Sequence, residues 1–203
     1  MKTFLGLIFT VFSLMAGASA QAGLQEGVSA FKRGHFSVAL KELTPLAEKG
    51  DAKAQAILGQ MYSSGSGVPQ NHAKAAFWYR KAAEQGDVKA QTSLGVMYEM
   101  GTGVPQDERE AAAWFHKAAE QGHGEALYTL GGIYERGRGA IPNDLVQAHK
   151  WFEIAVAAGF DIAQDDLHGI EAKMSREQIE TARAMAKEWL ATHKLPTHSG
   201  PLK

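Results

Sequence analysis

Ser29-Ala30-Phe31-Lys32 is the segment of this chain that comes closest to spelling a reaction. A serine three residues before a lysine on one helical turn is the S-x-x-K pattern of serine acyl-transfer enzymes acting on β-lactams and cell-wall peptides. Those enzymes also carry S-D-N and K-T-G elements, and neither occurs here. Gly65-Ser66-Gly67 and Gly101-Thr102-Gly103 would cradle a phosphate if they followed a strand and opened a helix. Both lead into Val-Pro instead, which is the chemistry of a turn. The eight histidines form no H-E-x-x-H, and with no cysteine in the chain no thiolate can complete a zinc site. His35, His72, His116 and His149 fall on or beside amphipathic helices and are expected to flank solvent. His193 and His198 fall in a tail with two prolines and a glycine. Asp165 and Asp166, with Glu171 nearby, could serve hydrolysis only by facing one another across a cleft. Adjacent residues on a helix point apart, so a solvated helix end is expected. Trp78, Trp114 and Trp151 recur at 36 and 37 residues, with Trp189 a further 38 on. With alanines on the same face, they are expected to fill a core rather than stack a ligand. No cofactor or metal is expected.

Composition narrows the classes further. Lys plus Arg is 21 and Asp plus Glu is 22, a net charge of -1 in 203 residues. Nucleic-acid binding needs a clustered basic surface that releases counterions, so nucleic acid is not an expected partner. The absence of cysteine excludes a disulfide framework, a thiol nucleophile and a lipidated N-terminal cysteine. Counts of 33 Ala and 22 Gly against six Pro suit closely packed helices. Lys2, the apolar run from Phe4 to Met15 and Ala18-Ser19-Ala20 have the order of a secretory signal cut after Ala20. Residues 1–20 are therefore expected to be removed. The remaining chain is expected to be periplasmic or secreted, with no membrane insertion.

The elements that must position all these residues are repeated. Residues 51–86 and 87–122 match at 22 of 36 positions without a gap, and residues 123–159 follow the same plan with Ala140 inserted. Each unit parses into two helices. In the first, Ala54, Leu58, Met61 and Tyr62 recur at helical spacing. Gly59, Gly95 and Gly131 sit inside that helix at a cost of about 1 kcal/mol each relative to Ala, as expected where a neighbouring backbone approaches closely. After the glycine turn, Asn71, Asp107 and either Asn143 or Asp144 are N-cap candidates for the second helix. That helix carries Ala75, Trp78, Tyr79, Ala82 and Ala83 on one face. Neither helix can bury its face alone, whereas stacked pairs can.

The ends are atypical, as caps of an array are. Residues 21–50 read as a capping helix pair turned by Arg33-Gly34-His35-Phe36. Residues 160–192 read as a shorter helix, about Ile162 to Ala172, and a last helix to about Ala191. The last helix opens with the capping box Ser175-Arg176-Glu177-Gln178. Residues 193–203 read as a flexible tail. The whole is expected to be all-α, a right-handed α-solenoid of stacked antiparallel pairs with about ten helices.

These residues resemble the Sel-1-like repeat family, a relative of the tetratricopeptide repeat. The family's plan is an A-x-x-x-L-G-x-x-Y helix, a G-x-G-V-P turn and an A-x-x-W-[YF]-x-K-A-A-x-x-G helix. Ala54, Leu58, Gly59, Tyr62, Gly65, Gly67, Val68, Pro69, Ala75, Trp78, Tyr79, Lys81 and Gly86 carry it once. Ala90, Leu94, Gly95, Tyr98, Gly101, Gly103, Val104, Pro105, Trp114, Phe115, Lys117 and Gly122 carry it again. The third copy departs with Ile141 for Val and Ile154 for the basic residue.

The resemblance implies a scaffold that binds proteins on a concave face lined by the first helices. By helical geometry, the positions opposite Leu58 are Lys53, Ala56, Gln60 and Ser63. Their equivalents are Lys89, Thr92, Val96 and Glu99, then Glu125, Tyr128, Gly132 and Glu135. These differ between copies while core positions match, as residues that address a partner would. The expectation is a monomeric, non-catalytic adaptor of the bacterial envelope that binds a protein partner. The rival is a peptidoglycan or β-lactam hydrolase using Ser29, or a regulator of such an enzyme.

Overall fold

The computed structural model describes residues 20–137 and 141–195. The leader predicted over residues 1–20, apart from its last residue, lies outside them, as do the inserted Ala140 and the tail from residue 196 with His198. The described chain is an all-α solenoid of helix pairs. Helix α1 occupies residues 20–32. Then come α2 (Phe36–Glu48), α3 (Ala52–Ser64), α4 (His72–Glu84), α5 (Val88–Met100), α6 (Glu108–Ala119), α7 (Gly124–Arg136), α8 (Leu145–Ala157), α9 (Ala163–Glu171) and α10 (Arg176–Thr192). The chain forms two compact units that divide between Asp87 and Val88, one residue past the expected end of the first repeat.

In the first unit, α2 packs on α3 and α3 on α4. Alanines 30, 39, 47 and 54 meet Leu43, Ile57, Leu58 and Met61 in its core. Asp51 caps α3 by accepting from the Ala54 amide at 2.8 Å, and Asn71 caps α4 by accepting from the Lys74 amide at 2.9 Å. Each such cap satisfies one of the amide donors that a helix start leaves open. Gly65 ends α3 at φ 75°, a left-handed conformation that glycine adopts without a Cβ clash.

In the second unit, α5 packs on α6, α6 on α7, and α7 on α8. Both α9 and α10 then close against α8. Asp107 caps α6 by accepting from the amides of Arg109 and Glu110. Asp144, not Asn143, caps α8, accepting from Val146 and Gln147 at 3.0 Å. Asn143 has a different task, donating its side-chain amide to the Glu135 carbonyl. The capping box of α10 forms as the sequence spelled it, with Ser175 and Gln178 bonded reciprocally.

The repeated glycine inside each first helix has a different cause from the one expected. It admits an aromatic ring from the second helix of the same repeat, not a neighbouring backbone. A Cβ on Gly59 would lie 2.6 Å from the Tyr79 ring, one on Gly95 2.9 Å from Phe115, and one on Gly131 2.4 Å from Phe152. The ring fills the space that a Cβ would take, so each pair closes more tightly than two side chains would allow.

Candidate functional site

The twelve variable first-helix positions divide by burial. Lys53, Gln60, Lys89 and Glu125 are exposed, and Ser63, Val96, Glu99, Tyr128 and Glu135 are half-buried. Ala56, Thr92 and Gly132 are buried and offer a partner almost no surface, which corrects the expectation for these three. The helical arc opposite Leu58 is narrower than a count of residues suggests, because α3 packs against α2 on one side and α4 on the other. Thr92 turns inward, donating to the Val88 carbonyl at 3.0 Å and lying 3.3 Å from His123 Nδ1. Gly132 lies under the Arg136 guanidinium, whose Nη2 would be 2.8 Å from a Cβ there.

Within the second unit the structure gathers several of these residues. Lys89, Thr92 and Glu125 surround His123, a residue that sequence reasoning did not single out. Burial pushes the His123 pKa down, Glu125 opposes that, and Lys89 adds to it. The group therefore presents one cation and one anion around an imidazole held below its usual range. Tyr128 joins a second group. The Asp166 carboxylate beside its hydroxyl raises the phenol above its ordinary value, and burial raises it further. Its ring packs on Phe152 and Phe160, with centroids 5.7 and 5.4 Å away.

Ser63, Glu99 and Glu135 share a backbone role. Near the end of each first helix their carbonyls accept from the side chains of Gln70, Gln106 and Asn143, which sit in the following turn. A carbonyl at a helix C-terminus lacks an intrahelical partner, and the turn supplies one. The backbone carries this duty, so the side chains at these positions are free to differ between copies.

The Sel1 repeat model matches residues 52–87, 88–123 and 124–160, more than half of the chain. The chain belongs to the Sel1 repeat family. It is similar to a Sel1 repeat protein from Oxalobacter formigenes, at 35% identity over 70% of this chain and 58% of that one, with a TM-score of 0.66. It is also similar to a protective antigen of uropathogenic Escherichia coli strains that displays an SLR fold. There the identity is 27% over 96% of this chain and 52% of that one, with a TM-score of 0.61. The chain thus spans little more than half the length of either. No curated protein matches it. Sel1 repeat proteins are in general protein-interaction scaffolds.

The residues first read for chemistry have mostly structural partners in this Sel1 array. Trp114, Trp151 and Trp189 are buried, and Trp78 packs half-buried against the core of the first unit. His149 is fully buried, contrary to the expectation that it flanks solvent. It occupies the repeat position of Ala76 and Ala112, both core residues, so the larger imidazole goes inward as well. Its Nε2 lies 2.9 Å from Glu171 and its Nδ1 3.4 Å from Glu153, while Arg183 donates to Glu171 at 2.8 Å. The bond from His149, with that from Arg183, holds the Glu171 carboxyl below the usual range. His116 is half-buried, 3.1 Å from the Tyr134 hydroxyl, and burial lowers its pKa. His193, expected in a loose tail, stacks on Trp189 at 4.1 Å and bonds Glu120 at 2.8 Å.

The three carboxylates considered for hydrolysis go separate ways. Asp165 is exposed, Asp166 meets Tyr128, and Glu171 meets His149 and Arg183. Among the described residues no group of three or more His, Asp or Glu side chains is placed to hold a metal, and no helix is long and apolar enough to cross a membrane.

Proposed function

We propose that this Sel1 repeat protein is a non-catalytic adaptor that binds a protein partner through its first helices, acting in the bacterial envelope after loss of residues 1–20. One observation carries the reading. Lys53, Lys89 and Glu125 occupy one repeat position, all three are exposed, and the third reverses the charge of the other two, while the core positions around them are kept. Packing does not ask for that difference. A surface that addresses a partner by local charge pattern does. The leader-like residues 1–20 support export, and the near-zero net charge leaves recognition to local pattern.

A photo-crosslinking amino acid in place of Lys89 or Glu125 tests the surface, with the same substitution at Lys117 on a second helix as the comparison. Crosslinks to one defined protein from the first-helix positions and none from Lys117 are expected. The reverse pattern, or none at all, overturns the assignment. Sequencing the N-terminus of the protein recovered from a periplasmic or culture fraction tests export. Gln21 is the expected first residue, and an intact Met1 in the cytosolic fraction contradicts it.

A further inference from the structure

In the first unit Lys53 borders a groove. The groove is open, has a volume of about 330 Å³, and is lined by Leu24, Gln25, Val28, Ser29, Lys32 and Lys53. Leu24 and Val28 are half-buried, packed on the core cluster of the unit, and supply its apolar surface. Gln25, Ser29 and Lys32 follow one another along α1 at spacings of four and three, which puts them on one helical face. Lys53 comes from the first turn of α3. Two ammonium groups from different helices therefore border one apolar strip.

Among the described residues no carboxylate lines the groove. The acids nearest in sequence are engaged elsewhere. Glu26 pairs with Arg33 at 3.5 Å, and Asp51 accepts from the Ala54 amide as the cap of α3. Among the described residues neither Lys32 nor Lys53 has an ion-pair partner. The volume is at the small end of ligand clefts, about 300–1,000 Å³, which suits one anchoring side chain with short flanks.

We propose that this groove docks an acidic peptide segment of a partner protein. One aliphatic or aromatic side chain of the segment seats on Leu24 and Val28, and flanking carboxylates reach Lys32 and Lys53. The proposal rests on the adaptor reading above and gives the partner a chemistry. Charge-assisted bonds from ammonium to carboxylate are stronger than neutral ones, and an apolar neighbour lowers the competition from water. Ser29 and Lys32, the two ends of the S-x-x-K match, become rim groups that hydrogen-bond and neutralise the ligand. The chain's own residues 1–19 suit the site poorly, since they hold Lys2 and no acid. Nucleic acid suits it poorly too, because tracking a phosphate backbone needs a longer basic groove and stacking aromatics.

Selection of random peptides on the purified full chain tests this. Selected peptides are expected to combine one large apolar residue with at least two acids. The pair Lys32→Glu and Lys53→Glu should weaken the best of them by about tenfold or more. The pair Lys41→Glu and Lys49→Glu makes the same change in net charge elsewhere in the unit, at exposed positions. It should change affinity by less than about twofold. Lys32→Gln with Lys53→Gln supplies a milder second variant should the reversal disturb folding, and circular dichroism checks each. Equal losses from both reversed pairs, neutral or basic peptides from the unmodified chain, no peptide at all, or tighter binding of a thymidine oligonucleotide would each overturn the groove. In those cases crosslinks from positions 89 and 125 still leave the adaptor reading standing. If acidic peptides bind as described and those crosslinks fail, the groove stands and the broader first-helix surface falls.

Discussion

The first two repeats and the third solve the same packing problem with different chemistry. In the first repeat the buried Gln55 donates to the Ala47 carbonyl at 2.9 Å and accepts from Gln85 at 2.7 Å. The second repeats the side-chain pair, with Gln121 donating to Gln91 at 2.8 Å. The third has Leu127 and Ala158 at these positions, both buried. Its buried polar group lies instead at His149, where the other copies keep alanine, and it reaches forward to Glu171 in α9. The middle of the array thus satisfies its polar groups with a copied device. The last repeat ties itself to the capping helices with a bond that no other repeat could make.

Putting histidine at the alanine position of the second repeat should break that contrast most severely. Ala112→His has no equivalent of Glu171 to meet, and overpacking plus an unpaired polar group should cost about 3 kcal/mol or more. Urea unfolding of the second unit measures it, and a loss below about 1 kcal/mol would mean that the position is roomier than its burial suggests. The reverse change, His149→Ala, empties a filled site and leaves Glu153 and Glu171 without their imidazole. A loss of about 2–3 kcal/mol is expected by the same measurement, with α9 and α10 the first to gain hydrogen exchange.

Gly59→Ala tests what the copies share. The added Cβ would press on Tyr79, so overpacking of about 1–3 kcal/mol should exceed the roughly 1 kcal/mol that alanine gains in a helix. Thermal unfolding should show a net loss, relieved by the second change Tyr79→Leu. Gln55→Leu imitates the third repeat in the first. It leaves the Ala47 carbonyl without its side-chain donor, for a smaller loss of about 1 kcal/mol.

The smallest effect is a pH dependence. Glu171 titrates below its unfolded value because His149 and Arg183 bond the ionised form. Its contribution is fully present above the ordinary carboxylate range and disappears as pH falls through its lowered folded value. Unfolding midpoints taken downward from pH 6 should fall less steeply for Glu171→Gln than for the unmodified chain. Equal slopes would remove Glu171 from the account.

Much of this was legible in the chain. The caps at Asn71 and Asp107 and the Ser175 capping box depend on neighbours a few residues away, and the 36-residue period shows when the chain is aligned with itself, so the chain alone reveals them. The burial of His149 was readable in part, since alignment puts it on Ala76 and Ala112. The expectation of solvent came from treating histidine as polar rather than from its repeat position. Thr92, Ala56 and Gly132 were misjudged for a related reason. A helical wheel counts angles on one helix and contains nothing of how side chains and neighbouring elements fold over it.

The sequence by itself determined an all-α array of helix pairs, the Sel1 family and the absence of thiol chemistry. Periodicity and side-chain inventory are properties of the chain before it folds. Only the tertiary structure decided that glycine makes room for a ring, that His149 meets Glu171, that Lys89 and Glu125 converge on His123, and that Lys32 and Lys53 border one groove. Each of these joins residues from different helices. The distances between them follow from how the helices pack, which no single helix encodes.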